Sequence, residues 1–400
     1  MPLTFASRLG SVAPSATLAM AAAAQKLTQK GVKVVPFSVG EPDFQTPAHV
    51  IAAAKAALDA GATKYTAVTG TAELKAAVVE ATLRDRGVAI TPDRVTVSVG
   101  AKHVLFNLAY ALYEPGDEVI IPAPYWVSYP EQVRMVGATP VIAQTTAESG
   151  FRLTPEALER AVTPKTKALI LCTPSNPTGA AYDRASLDAL LEVIRKGDYY
   201  VIVDEIYGAL TYDGFEHVSL GKIAPDLGDR LIIVDGVSKS YAMTGWRIGW
   251  SITTPRLSAA LSTIQGQSTT NPAAVSQAAA RAALLGPRDS VLAMRDAFQR
   301  RRNLIVDGLN RIDGIRCRMP EGAFYAFADV SALIGLRAGD SVLSDDNQIA
   351  MWLLESAHVA TVAGTPFGAP GYLRLSYACS DEDIARGLAA IEGAIKQAKQ

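Results

Sequence analysis

Short apolar runs recur through the first 250 residues, and a helical pattern separates most of them from the next. The runs lie at 95–99, 118–121, 139–142, 168–171, 199–203 and 231–234. Continuous apolar strands, rather than alternating ones, are typical of parallel sheets that are buried on both faces. The sequence therefore predicts an α/β fold with a mostly parallel sheet covered by helices. Ligands of such sheets bind beyond the carboxyl ends of the strands.

The pattern changes after about residue 287. A long charged helix is followed by short strand patterns and one helical pattern, at 315–317, 324–327, 349–356, 359–362 and 372–376. This mixture predicts a smaller α+β unit. Near the amino terminus, the sequence predicts a helix that begins near Pro14 and ends at Gly31, followed by a strand at 32–39.

The length of the chain favours two domains. At 400 residues it exceeds the size at which a single hydrophobic core keeps growing. We predict an irregular arm at 1–13, a small domain built from 14–46 and 288–400, and a large domain at 47–287.

Charge and cysteine content limit the classes of function. A formal net charge of −1 gives no basic surface for nucleic acid. The three cysteines, Cys172, Cys317 and Cys379, are far apart, which favours free thiols in the cytoplasm over a disulfide framework. No apolar run reaches membrane-spanning length, so no membrane partner is expected. The four histidines lack metal-ligand spacing, and no metal is predicted.

One lysine follows a buried strand among hydroxyl groups. Lys239 lies between Ser238 and Ser240, just after the apolar run at 231–234, and Arg247 follows eight residues later. These are the surroundings expected of an amine that binds a carbonyl cofactor, with an arginine to hold a phosphate. Taken alone, the pattern leaves open a solvated surface lysine.

Four further motifs accompany the lysine stretch at 234–250. They read YWVSYP at 125–130, SNPTG at 175–179, DEIY at 204–207 and LRLSY at 373–377. In this order, the five motifs resemble those of the class I aminotransferases, the pyridoxal-phosphate enzymes of the aspartate aminotransferase family. The resemblance implies pyridoxal 5′-phosphate as cofactor and a homodimer with shared active sites.

The resemblance also implies which residues hold the cofactor. Lys239 would bind it covalently and then move the substrate's Cα proton. Asp204 would pair with the ring nitrogen, and Tyr207 and Asn176 with the phenolic oxygen O3′. The other implied contacts are Gly100, Ala101, Lys102, Ser238 and Arg247 at the phosphate, Trp126 on the ring, and Tyr65, which would serve the neighbouring subunit's phosphate.

Substrate contacts are implied in the same way. Arg374 would bind the α-carboxylate through two parallel hydrogen bonds, a geometry that lysine cannot supply. Lys102, with Ser15 or Thr17, resembles the branch of the family that uses a lysine and a hydroxyl for the distal carboxylate. Ala13 departs from relatives that accept prephenate, which often carry lysine there. The remaining implied substrate contacts are Gly40, Trp126 and Asn176.

The expected activity is ping-pong transamination through pyridoxamine phosphate. The partners would be aspartate or glutamate and the 2-oxo acids 2-oxoglutarate or oxaloacetate. The resemblance leaves open a preference for aromatic amino acids or for prephenate, and lyase chemistry on the same fold. A non-catalytic cofactor sensor fused to a DNA-binding module is disfavoured, because about thirteen residues before the first helix are too few for such a module.

Overall fold

The computed structural model describes residues 4–339 and 341–398. Residues 1–3 of the predicted arm, and residues 340 and 399–400 of the predicted small domain, lie outside the described residues. The strands are β1 Val95–Ser98, β2 Glu118–Ala123, β3 Thr139–Gln144, β4 Thr166–Cys172, β5 Tyr200–Asp204, β6 Leu231–Gly236, β7 Gly249–Ile252, β8 Arg316–Cys317, β9 Tyr325–Asp329, β10 Arg337–Ala338, β11 Ser341–Val342, β12 Val362–Ala363 and β13 Tyr372–Ser376.

The helices alternate with the strands of the first sheet and surround the second. They are α1 Ala16–Gln29, α2 Ala48–Asp59, α3 Ala72–Arg86, α4 Ala101–Leu112, α5 Ser128–Met135, α6 Pro155–Ala161, α7 Arg184–Ile194, α8 Leu220–Ile223, α9 Pro255–Gly266, α10 Ala274–Leu285, α11 Asp289–Asn310, α12 Asp346–Ala357 and α13 Asp381–Ala398. None of the helices in the described part of the chain has the length and apolarity needed to cross a bilayer.

The larger sheet has seven strands in the order β1-β7-β6-β5-β4-β2-β3. Only β7 runs antiparallel to its neighbours, so the predicted mostly parallel sheet is confirmed. Because β1 and β6 are both antiparallel to β7, they are parallel to each other. The carboxyl ends of β1, β4, β5 and β6 therefore meet at one edge of the sheet.

Local capping agrees with this helix arrangement. The side chains of Thr71, Asp183 and Thr254 each accept a hydrogen bond from the backbone amide three residues further on, at the start of α3, α7 and α9. Such caps satisfy amides that have no partner inside the helix.

The second sheet is antiparallel, with four strands in the order β12-β13-β9-β8. Its hydrophobic core includes Phe298 of α11 and Phe324 and Tyr325 at the start of β9. The predicted α+β unit is thus confirmed, although the strand expected at 359–362 is reduced to the two residues of β12.

The strand predicted at 32–39 is wrong. Val35 forms only an isolated bridge with Val359, because the chain turns directly after it: Phe37 N donates to Val35 O, and Val39 N donates to Pro36 O. The arm is also more regular than expected, since Ser7–Ser11 form a 3₁₀-helix.

The segment after α1 packs on the smaller sheet. The carbonyl of Phe37 accepts a hydrogen bond of 2.7 Å from Ser376 N, and the Phe37 ring is completely buried. These contacts support our proposal that residues 14–46 belong with 288–400, and we propose the same domain boundaries as the sequence predicted.

Replacing Phe37 with alanine tests this packing. We expect the free energy of unfolding to fall by about 3–5 kcal/mol, the usual cost of removing a buried phenylalanine ring. Denaturant titration of the purified variant measures the change. Phe5→Ala is the control, because Phe5 is 88% exposed, and equal losses in the two variants would contradict the proposed packing.

Candidate active site

A cavity of about 330 Å³ lies at the carboxyl edge of the seven-stranded sheet. The smaller sheet closes it through Tyr325 of β9 and Arg374 of β13. Most of the sequence-predicted site residues line it: Thr17, Gly40, Ala101, Lys102, Trp126, Asn176, Asp204, Tyr207, Ser238, Lys239, Arg247 and Arg374. Gly100, Ser15 and Tyr65 are not among its lining residues. The described residues contain no group of three or more His, Cys, Asp or Glu that could hold a metal ion.

Lys239 lies in the turn that follows β6. Its Nζ donates a hydrogen bond of 2.6 Å to the carbonyl of Gly40. Burial lowers the pKa of Lys239 to about 8, and Glu41 opposes this shift. The guanidinium groups of Arg374 and Arg247 contribute to this lowering of the pKa. The amine is therefore available as a base near neutral pH.

Asp204 is the last residue of β5 and is almost completely buried. Its Oδ2 accepts a hydrogen bond of 2.8 Å from the Tyr129 hydroxyl, and its Oδ1 accepts one of 3.2 Å from Ile206 N. Burial raises the pKa of Asp204 to about 6, although both hydrogen bonds favour the ionised form. A cation placed against this carboxylate would keep it ionised.

An anion site lies where β1 meets α4. The first amides of a helix lack intrahelical partners and attract anions. Gly100 has a φ of +83°, and a Cβ on Gly249 would come within 2.4 Å of Ala101 N, so the backbone approach requires glycine at both positions. The exposed guanidinium of Arg247, with Nη1 donating to Thr244 O at 2.8 Å, adds a fixed positive charge.

Arg374 points from the smaller sheet toward the larger one. It is 2% exposed, and its Nη1 and Nη2 donate to Asn176 Oδ1 at 3.1 Å and to Ser38 O at 2.7 Å. No carboxylate of the described residues forms an ion pair with it, and its Nε is buried without a hydrogen-bond partner. A buried, unpaired guanidinium is a receptor for a carboxylate from outside the chain.

The predicted distal-carboxylate residues are only partly brought together. The Nζ of Lys102 lies 5.0 Å from the centroid of the Trp126 ring, and burial lowers the pKa of Lys102. Ser15 and Thr17 share a hydrogen bond of 2.9 Å between their hydroxyls, but only Thr17 lines the cavity.

Sequence reasoning missed several lining residues, of which the polar ones are Glu41, Tyr129, Cys172, Thr244 and Tyr325. The hydroxyls of Tyr325 and Tyr207 are 2.9 Å apart. Tyr129 could have been predicted from the sequence, because it lies in the same YWVSYP motif as Trp126. For Tyr325 no sequence signal existed, since it belongs to an ordinary apolar strand.

The cavity fits pyridoxal phosphate at each of its polar ends. A helix amino terminus with Arg247 suits a phosphate, and the buried carboxylate of Asp204 suits a protonated pyridine nitrogen. The half-buried amine of Lys239 suits an aldehyde. Because these groups come from three different strand ends that share one edge, the fit does not depend on a single residue.

Comparison with known proteins agrees with this geometry. Residues 32–391 match the family described as aminotransferase class I and II. The aspartate/prephenate aminotransferase of Cereibacter sphaeroides is 48% identical over 386 residues, which are 96% of this chain and 96% of that protein. The aspartate aminotransferase structure from Rhizobium meliloti has a TM-score of 0.95 at 44% identity, covering 98% and 99% of the two chains. The Thermus thermophilus aspartate aminotransferase with maleate has a TM-score of 0.92 at 42% identity, covering 98% and 100%.

The buried carboxylate leads to a prediction for the cofactor-free protein. Between pH 3.8 and about 6, folded Asp204 keeps a proton that the unfolded chain releases. The free energy of unfolding therefore falls as pH rises through this window. We expect Asp204→Asn to remove this loss and to stabilise the cofactor-free protein at pH 7, by an amount on the order of 2–3 kcal/mol. Denaturant titration from pH 4 to 7 measures it.

Asp183→Asn is the control for this experiment. The Ser186 backbone amide lowers the pKa of Asp183, so that carboxylate stabilises the fold when ionised and its removal should not help at pH 7. Equal behaviour of the two variants would contradict the assigned cause.

Proposed function

Because the chain belongs to the class I and II aminotransferases, we propose that it transfers the amino group of L-aspartate to 2-oxoglutarate, giving oxaloacetate and L-glutamate. The observation that carries the proposal is that one cavity contains the Lys239 amine, the buried Asp204 carboxylate and the unpaired Arg374 guanidinium. Relatives named aspartate aminotransferase or aspartate/prephenate aminotransferase support the choice of aspartate.

We assign each residue a task. When bound, pyridoxal phosphate supplies the electron sink that stabilises negative charge at the substrate's Cα. Asp204 holds the ring nitrogen in its protonated form, and Tyr207 and Asn176 bind O3′. The amides at the start of α4, with Ser238 and Arg247, hold the phosphate. Trp126, which lines the cavity, would hold the ring by packing against it.

The remaining residues act on the substrate. Arg374 binds the α-carboxylate and so fixes which Cα bond faces Lys239. Lys239 then removes the Cα proton, because its pKa of about 8 lets the neutral amine exist near neutral pH. The carbonyl of Gly40, which accepts from Nζ, aims the amine. Residues of both sheets enclose the site and exclude water from these charges.

Prephenate is a second candidate amino acceptor. The Cereibacter relative whose name includes prephenate supports it. Against it, this chain has alanine at position 13, where the backbone amide donates a 2.7 Å hydrogen bond to Glu131 Oε2 and no side-chain charge is offered.

We also propose a cytoplasmic location for the protein. The free thiols of Cys172, Cys317 and Cys379 support it, because reduced cysteines are typical of that compartment.

The proposed reaction is tested by its two halves. Purified protein with pyridoxal phosphate should lose its visible absorbance band on addition of L-aspartate and regain it on addition of 2-oxoglutarate. Lys239→Ala should fold, retain the cofactor without a covalent bond, and fail both halves. Borohydride reduction followed by peptide mass mapping should locate the cofactor on Lys239. Its appearance on another lysine would contradict the assignment.

Lys102 is proposed to bind the distal carboxylate of a dicarboxylic substrate. We expect Lys102→Met, which keeps the apolar stem on Trp126, to lower kcat/KM for aspartate and 2-oxoglutarate about ten- to a hundredfold. Activity with L-alanine or L-phenylalanine should change less than about twofold, since they carry no second charge. Steady-state kinetics with these substrates and with prephenate gives the comparison, and equal losses for all of them would make Lys102 a cofactor-side cation instead.

We propose a homodimer in which Tyr65 serves the neighbouring site. Tyr65 is 88% exposed and lies outside the cavity of its own chain. A second, open cleft of about 510 Å³ reaches Lys102 and Arg247 from the other side, between Phe106 and Met135. A partner could complete the phosphate end of the cavity through this cleft.

Complementation between two defective proteins tests the sharing. The test uses a heterodimer of one Tyr65→Ala chain and one Lys239→Ala chain, purified by means of different tags. If Tyr65 serves the neighbouring site, one of the two sites contains both Tyr65 and Lys239. This heterodimer should then have about half of wild-type activity. The other site lacks both groups. If Tyr65 serves its own chain, the heterodimer should instead have half the activity of the Tyr65→Ala homodimer. A sedimentation mass equal to that of one chain would also contradict the proposed homodimer.

A further inference from the structure

Tyr325 contacts two residues of the cavity, Tyr207 and Arg374, that have different proposed roles. It begins β9, its side chain is 1% exposed, and its hydroxyl is 2.9 Å from that of Tyr207. The Cζ of Arg374 lies 4.7 Å from the centroid of the Tyr325 ring. One side chain thus touches both the proposed O3′ ligand and the proposed carboxylate ligand.

The proposed role of Tyr207 at O3′ requires one direction of the hydrogen bond between the two hydroxyls. Each phenol has a single proton, and either oxygen of the pair could donate. If Tyr207 donates to Tyr325, it has no proton left for a cofactor oxygen. If Tyr325 donates, the proton of Tyr207 is free. Burial raises the pKa of Tyr325, so this donor keeps its proton throughout the working range of pH.

We propose that Tyr325 is a positioning residue for both halves of the site. Its hydroxyl donates to Tyr207 and so directs the Tyr207 proton toward the cofactor, while its ring face holds the Arg374 guanidinium for the substrate carboxylate. The proposal rests on the function proposed above.

The loop at Gly40 leaves room for this arrangement. A Cβ at position 40 would lie 3.2 Å from the Tyr325 hydroxyl oxygen, closer than ordinary packing. The same Gly40 carbonyl accepts the hydrogen bond from Lys239 Nζ. The hydroxyl of Tyr325 therefore occupies space beside the loop that aims the catalytic amine.

Two substitutions separate the two tasks. Tyr325→Phe keeps the ring and removes the donor, so the Kd for pyridoxal phosphate should rise about three- to tenfold. The Kd of the holoprotein for maleate, a non-reacting dicarboxylate, should stay within about twofold. Tyr325→Leu also removes the aromatic face, and its Kd for maleate should rise by roughly two- to thirtyfold. Calorimetric titration measures both constants.

A double-mutant cycle decides whether Tyr325 acts through Tyr207. In a Tyr207→Phe background, Tyr325→Phe should have no further effect on the Kd for pyridoxal phosphate. The control is Tyr377→Phe, which removes a buried hydroxyl that donates to Ala323 O at 3.3 Å outside the cavity, and it should leave both constants unchanged.

Three results would overturn the proposal: additive effects in the cycle, a loss of maleate binding in Tyr325→Phe equal to that in Tyr325→Leu, or the same cofactor loss in Tyr377→Phe. If Tyr325→Leu fails to fold, the cycle among phenylalanine variants still decides. Wild-type protein that binds no pyridoxal phosphate would refute the proposed function itself, which is a separate outcome.

Discussion

The site depends on a buried positive charge that no carboxylate of the described residues neutralises. Arg374 is held by an amide oxygen and a backbone carbonyl, both neutral, and by the faces of Tyr325 and Phe367. Burial lowers its pKa, which reflects the cost of keeping a guanidinium away from water. Because β13 is paired on both sides, the side chain cannot retreat to solvent. In the function that we propose, a substrate carboxylate supplies the opposite charge, so its binding relieves a cost already present in the folded protein.

The placement of most site residues could be predicted from sequence for a simple reason. Parallel strands have their carboxyl ends at one edge, so polar residues after apolar runs converge there whatever the order of the strands. Asp204, Asn176 and Lys239 follow this rule. Arg247 does not, since it reaches the site through the reversal between β6 and antiparallel β7, which depends on sheet order rather than on local pattern.

The errors have equally local causes. The strand predicted at 32–39 is wrong because the chain turns after Val35, where Phe37 N donates to Val35 O, and an apolar pattern does not show such a turn. The resemblance offers Ser15 or Thr17 as the hydroxyl beside Lys102, and of the two only Thr17 lines the cavity. Tyr325 was missed because its role comes from which strand lies opposite it. Contacts between the two sheets are long-range, and no window of the sequence contains both partners.

The contact between Arg374 and Asn176 also fixes the orientation of the Asn176 side-chain amide. A guanidinium only donates hydrogen bonds, so the amide of Asn176 must present its oxygen to Arg374, and its Nδ2 is then the end left for an acceptor elsewhere. An aspartate has almost the same shape, but it would bring a full negative charge to Arg374 and no donor to the opposite side. With asparagine at position 176, the Arg374 site can therefore still attract an anion. With aspartate there, the positive charge of Arg374 would already be neutralised by a side chain of the protein itself.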